Sequence, residues 1–245
     1  MTAPPPLLVF DFDGVLCDSL DECMMVAWYV RDGKPVRSFL DPGLKGVPKH
    51  IVERFQGCRP FMCHLAHFLV PLVELDPPGS RAEFAARFDA LPSEDIERFA
   101  SAAEGFRAEL RVKHPESWRA RHTVEARLGN LVRDGYIATA RDRDSVGQIL
   151  GAEGIDVPDE RIFGSLRDKT DALHEIAERE SLEPIDVVLV DDSIENCVAA
   201  RRSGFAAYWA RWGYHADGDA QTAREHGIPV VTVEALLHVR CANLS

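Results

Sequence analysis

The chain lacks any apolar run long enough to cross a membrane as a helix. Its longest, Phe61–Leu75, falls short of the roughly 20 residues a bilayer demands, and His64, His67 and Pro71 interrupt it. It reads instead as a buried helix, broken or kinked near the proline. The opening MTAPPPLLVF has no basic segment followed by an apolar stretch and a small-residue cleavage site. A secretory signal is therefore not expected, and a cytoplasmic location is. The six cysteines include no C-x-x-C pair, and neither they nor the histidines show a zinc spacing. Reduced thiols are expected; His64 and His67, three apart on one helical face, are expected to pack. Positive charge is also short. Lys and Arg number 28 against 40 Asp and Glu, a formal net charge of −12. Such a surface repels nucleic acid and anionic membranes, so neither is expected as a main partner. A small anionic substrate in a locally basic pocket stays compatible. No repeat or low-complexity tract occurs.

What is present is enough for a full core. An apolar content of 46% over 245 residues fits one large domain, or a core with a second one inserted. The most informative stretch is LLVFDFDGVLCDS, Leu7–Ser19. Leu7-Leu8-Val9-Phe10 has the texture of a strand buried on both faces, and hydrophobicity then stops at Asp11-Phe12-Asp13-Gly14. If strand geometry persists, Asp11 and Asp13 point one way and Phe12 the other. Gly14 permits a sharp turn close to a ligand. Paired carboxylates at a strand's carboxyl end suit a nucleophile with a proton shuttle, a hard-cation site, or both. The plainer alternative is a solvated turn.

Downstream, the spacing predicts helices. Ser19-Leu20-Asp21-Glu22 has the form of a capping box opening a helix to about Asp32-Gly33. A loop follows, punctuated by Pro35, Pro42, Gly43, Gly46 and Pro48. Helical patterns cover His50–Phe55 and Phe61–Leu75. Another runs from the capping box at Ser80 to about Leu91, another from Ser93 to about Lys113, and one spans Thr123–Arg133. From Tyr136 the texture changes to alternation. Strands are expected at Tyr136–Thr139, Arg161–Phe163, Asp186–Val190, Phe205–Ala210 and Pro229–Val233. Helices between them are expected at Arg143–Leu150, Thr170–Glu180, Ile194–Arg202 and Ala220–Glu225. Such alternation predicts an α/β fold, a Rossmann-like doubly wound parallel sheet. The all-helical region is then an insertion, residues 17–130, with the core formed by 1–16 and 131–245.

Three more polar clusters close these strands: Thr139 after YIA, Lys169 in GSLRDK, and Asp191-Asp192 after VVLV. Each has an ordinary reading alone. Thr139 could be a helix N-cap, Lys169 a surface amine, and the acidic pair a capping turn. Taken in order with DFDG, however, the set resembles the haloacid dehalogenase superfamily of hydrolases. The motifs here are DFDGVLCDS, YIATARD, the Lys169 of RDKTDAL, and VLVDDSIENC.

The resemblance implies a phosphatase acting on a small phosphorylated metabolite with Mg²⁺. Asp11 would attack phosphorus, and Asp13 would give a proton to the leaving alcohol and later take one from water. Mg²⁺ would lie between Asp11, the Asp13 carbonyl and Asp192. Thr139 and the Ala140 amide would hold phosphoryl oxygens, while Lys169 would offset negative charge. Asp191 would position Lys169 or a metal-bound water. Many relatives carry a further Asp where this chain has Asn196, which would stand behind the metal ligands without adding charge. The dehalogenase branch lacks the acid at Asp13. A phosphomutase, or a non-catalytic binding protein on the same fold, are the alternatives. Arg31, Lys34, Lys49, Arg54 and Arg59 supply basic cap residues that would hold a second anionic group, although most are expected to be solvated.

Overall fold

Leu7–Phe10 forms strand β1, which lies inside a six-stranded parallel sheet. The computed structural model describes residues 5–37, 46–73 and 76–241, without the side chains of 239–241. Pro42 and Gly43 of the expected loop, and the last two residues of the expected Phe61–Leu75 helix, lie outside the described residues. The chain leaves the core at β2 (Cys17–Asp18) and returns at β3 (Thr123–Val124). The other sheet strands are β4 (Tyr136–Ala138), β5 (Ile162–Phe163), β6 (Val187–Asp191), β7 (Ala206–Ala210) and β8 (Val230–Val231). Their order is β5-β4-β1-β6-β7-β8.

Val9 stands opposite Tyr136 on one side and Leu189 on the other, so β1 is hydrogen-bonded along both edges. That explains why the run is apolar without alternation: both faces are covered. From β1 the chain builds β4 and β5 on one side, then crosses back to add β6, β7 and β8 on the other. Open α/β sheets hold their ligands where the winding reverses, beyond the carboxyl ends of the strands. Behind that edge Val9, Val187, Leu189 and Trp209 pack with Leu173, Ile176 and Val198 from the crossover helices. Each such large apolar side chain contributes about 1.5–3 kcal/mol on burial.

The crossover helices follow the sequence closely: Arg143–Ala152, Thr170–Glu180, Ile194–Arg202 and Asp219–Glu225, with Val233–Cys241 added at the end. Two expectations about where the insertion ends change. The chain divides into two compact units, 1–18 with 124–245 and 19–123, whereas the insertion was expected to span 17–130. The return segment belongs to the core because the Glu125 N–H donates to the Leu16 carbonyl at 2.8 Å and Leu128 is fully buried. Nor is Thr123–Arg133 one helix. Its β-branched start is strand β3, followed by a 3₁₀ turn over Ala126–Leu128 and a short helix at Gly129–Asp134.

The second unit holds helices α1 (Leu20–Arg31), α2 (Lys49–Cys58), α3 (Val70–Val73), α4 (Arg81–Asp89), α5 (Ser93–Lys113) and α6 (Pro115–Arg119). The Phe61–Leu75 region is not one helix. It breaks into 3₁₀ turns at Arg59–Phe61 and Leu65–Leu69 before α3, with Pro71 in its first turn, where a missing N–H costs nothing. His64 and His67 do pack, their rings 3.7 Å apart and His67 edge-on to Phe84 and Phe88. Of the basic residues, Arg59 is buried and donates to the Met62 carbonyl at 3.0 Å.

The two capping boxes diverge. Ser80 accepts the Glu83 N–H at 3.2 Å as expected, but Ser19 makes no side-chain cap bond. Glu22, the residue that should have closed the first box, turns inward and is fully buried. There it takes two bonds from Arg107 of α5, at 2.6 and 2.9 Å, and one from the Trp118 indole of α6 at 3.3 Å. A buried charge so paired outcompetes an exposed cap, because the interior strengthens every bond it makes. Glu22→Ala strands the Arg107 guanidinium, so chemical denaturation is expected to show a loss of about 3–5 kcal/mol. The Glu22→Ala/Arg107→Ala pair is expected to lose less than the sum of the two single changes.

Candidate active site

The carboxyl edge of the sheet gathers the sequence-predicted residues within the core unit. Strand β1 ends at Phe10, and the chain then tightens: the N–H groups of Leu16 and Cys17 both donate to the Phe12 carbonyl, each at 2.9 Å. Phe12 is buried beneath this turn. Asp11 and Asp13 consequently meet different cations. Asp11 Oδ1 lies 2.8 Å from Lys169 Nζ, while Asp13 is gripped by Arg141, whose Nε reaches both carboxylate oxygens at 3.1 Å.

Lys169 is no surface amine. It is buried between Asp11 and Asp191, with Asp191 Oδ2 at 2.6 Å. Asp191 is held in turn by the Ser193 N–H at 2.8 Å and the Asn196 amide at 3.0 Å. Asn196 therefore orients the lysine's partner. Asp192, the next residue, points elsewhere: its Oδ2 accepts the Tyr214 N–H at 2.7 Å, and its carbonyl accepts the Trp209 indole N–H at 2.8 Å. The helix cap that would have explained Thr139 away falls to Asp142, whose side chain accepts the Ser145 N–H at 2.9 Å; Ser193 stands at the N-cap position of Ile194–Arg202 without a side-chain cap bond. Thr139 is buried and accepts the Arg141 N–H at 3.2 Å through its hydroxyl.

Space around Asp192 is set by two glycines. A Cβ on Gly14, whose φ is +95°, would lie 2.1 Å from Asp192 Oδ2. One on Gly213 would lie 2.3 Å from Asp192 Cβ and 2.5 Å from the Gly14 carbonyl. No side chain fits at either position, so the backbone itself forms the wall of the site.

Charge in the cluster is unbalanced. Carboxylate oxygens of Asp11, Asp191 and Asp192 all come within 4.8 Å of one another, and Lys169 is the ammonium between two of them. Burial pushes the Asp11 carboxyl up from 3.8 to about 6 despite the opposing pull of Lys169, and Asp191 and Asp13 add to the rise. Burial works against the Lys169 ammonium, but Asp11 and Asp191 more than offset it and hold its pKa above the ordinary value. Three buried carboxylates thus stand beside one ammonium. All the donors are hard oxygens, the set a small divalent cation prefers.

Three participants were not singled out in the sequence. Arg141 stands two residues past Thr139 inside YIATARD, and its pairing with Asp13 depends on two strand ends meeting in space. Gly213 and Tyr214 come three and four residues past the end of β7; a glycine soon after a buried strand was the available signal.

Because its folded pKa is raised, Asp11 favours the fold most fully below pH 3.8, and that contribution is lost as pH rises through about 6. In metal-free protein, Asp11→Asn is therefore expected to be more stable than the parent at pH 8, by about 1–3 kcal/mol. Thermal melts across pH 4–8 check this: the gain should shrink as the parent's Asp11 protonates.

No protein-family model matches the sequence, and no curated protein matches it. Solved structures do. A haloacid dehalogenase-like hydrolase from Streptococcus pneumoniae superposes with a TM-score of 0.58 at 16% identity, covering 96% of this chain and 98% of the other. A predicted phosphoglycolate phosphatase from Haemophilus somnus gives 0.61 at 16%, again over 96% and 98%. A predicted phosphatase from Clostridium acetobutylicum gives 0.59 at 16%, over 98% and 100%. Sheet order, the inserted helical unit and these superpositions agree: the chain has the fold of the haloacid dehalogenase-like hydrolases.

Proposed function

We infer that the protein is a Mg²⁺-dependent phosphatase that hydrolyses a small phosphorylated metabolite through an aspartyl phosphate on Asp11. The observation that carries this reading is the meeting of Asp11, Lys169, Asp191 and Asp192 at one sheet edge. Neighbours named as phosphatases support the same class. Phosphate monoesters are inert, so the protein must supply a nucleophile, neutralise phosphoryl charge and protonate the leaving oxygen.

An Asp11 carboxylate oxygen attacks phosphorus, and the bond from phosphorus to the alcohol oxygen breaks as that oxygen takes a proton from Asp13. Water then attacks the phosphoaspartate, Asp13 takes back a proton, and the acyl phosphate P–O bond breaks to restore the Asp11 carboxylate. Lys169 reduces the repulsion between an incoming phosphate and the Asp11 carboxylate. Asp191, aimed by Ser193 and Asn196, fixes where that ammonium stands. The Thr139 hydroxyl and the Ala140 amide are the donors assigned to phosphoryl oxygens. Mg²⁺ would be held by the Asp11 and Asp192 carboxylates and the Asp13 carbonyl, and when bound it neutralises charge on the phosphoryl oxygens.

A phosphatase, rather than a dehalogenase, is favoured by Asp13, since displacing halide calls for no proton donor. Purified protein is expected to hydrolyse p-nitrophenyl phosphate with Mg²⁺ and to lose turnover in EDTA. Asp11→Asn is expected to lower kcat by about 10³-fold or more, the scale expected when a nucleophile is removed. Equal turnover by the Asn variant would exclude the assignment.

A further inference from the structure

The proton carrier needs aiming, and the fold supplies a candidate for that task. We propose that Arg141 is a positioning residue for Asp13, holding its carboxyl group in the plane from which it delivers a proton to the leaving oxygen. The inference rests on the phosphatase reading above and adds to it a residue with a separable contribution.

The contact is a two-point grip. Arg141 Nε lies 3.1 Å from both Asp13 oxygens, and Arg141 Nη2 lies 3.0 Å from Oδ1. A planar guanidinium meeting a carboxylate at two points fixes both the direction and the plane of the acid, which a lysine ammonium cannot do. The Arg141 side chain is 1% exposed, against 21% for Asp13. The arginine is thus enclosed, and Asp13 is the member of the pair that opens toward solvent.

Its backbone is fixed just as firmly. The Arg141 N–H donates to the Thr139 hydroxyl at 3.2 Å, and its carbonyl accepts the Ser165 N–H at 2.9 Å. Leu166 N–H closes the same loop on the Thr139 carbonyl at 3.0 Å. To make this clamp Ser165 adopts φ of 60°, a left-handed conformation uncommon outside glycine. Gly164 is required beside it, because a Cβ there would lie 2.8 Å from the Arg141 carbonyl and 2.6 Å from the Arg143 nitrogen. Below, the guanidinium lies 5.8 Å from the centre of the Phe12 ring. Strand ends β4 and β5 thus hold the arginine, and the arginine holds the acid that follows β1.

In the first step, formation of the phosphoenzyme, which kcat/KM reports, a residue that acts only through Asp13 matters in proportion to how much proton the leaving group needs. The test compares p-nitrophenyl phosphate, whose leaving group departs as a stable anion, with phenyl phosphate, of similar shape but needing protonation. Arg141→Met is expected to lower kcat/KM for phenyl phosphate about tenfold or more beyond its effect on kcat/KM for p-nitrophenyl phosphate, a fraction of the usual worth of general acid catalysis. In an Asp13→Asn background the same substitution should leave the ratio of the two rates nearly unchanged. Arg141→Lys, which keeps the charge but not the fork, should show the same selectivity in weaker form. It also serves as the test if Arg141→Met fails to fold by circular dichroism. Equal losses on the two substrates, or selectivity that persists without Asp13, would overturn the proposal while leaving the phosphatase reading intact. A folded parent protein that turns over neither substrate with Mg²⁺ would remove that reading, and this inference with it.

Discussion

Like charge buried at close range is the constraint on which this molecule turns. Asp11, Asp191 and Asp192 come from two adjacent parallel strands, and the sheet brings their carboxylates within 4.8 Å of one another. Burial strips solvent from Asp11 and the neighbouring Asp191 and Asp13 repel it, which is why its pKa climbs to about 6. Lys169 relieves two of the three, and the third, Asp192, is met by backbone N–H from Tyr214. The strain that remains is useful only if something positive arrives to relieve it. A divalent cation held by these oxygens would meet that need.

The rest of the fold can be read as support for that cluster. The apolar strands β1 and β6 are covered on both faces, so the ends that carry the acids are held by a packed interior. Gly14 and Gly213 let two loops close on Asp192 without side chains between them. Asn196 and Ser193 hold Asp191 so that it can hold Lys169. Each layer fixes the one nearer the chemistry, an arrangement expected where a misplacement of an ångström would be costly.

How much of this was legible in the sequence depended on whether the signal was local. Strand ends marked by DFDG, YIAT and VVLVDD were legible, because an apolar run that stops at a polar residue records both burial and edge. Lys169 was found by its order along the chain, not by its surroundings, which alone suggest a surface amine. The capping box at Ser19 misled, because nothing in SLDE says that Glu22 will meet an arginine from α5, far along the chain. Arg141 was hidden for the same reason: its partner, Asp13, comes from the other end of the core. The broken Phe61–Val73 region shows a further limit, since a proline inside an apolar run can end one turn or begin the next. Pairings between distant segments are decided by topology, and periodicity does not carry topology.

The most direct test of the account is chemical capture of the intermediate. Protein mixed with Mg²⁺ and a phosphate monoester is quenched in acid, reduced with borohydride and mapped by peptide mass spectrometry. An acyl phosphate on a carboxylate is reduced to an alcohol, so the account predicts homoserine at position 11 and unmodified aspartate at 13, 191 and 192. Turnover accompanied by reduction at another carboxylate, or at none, would contradict it.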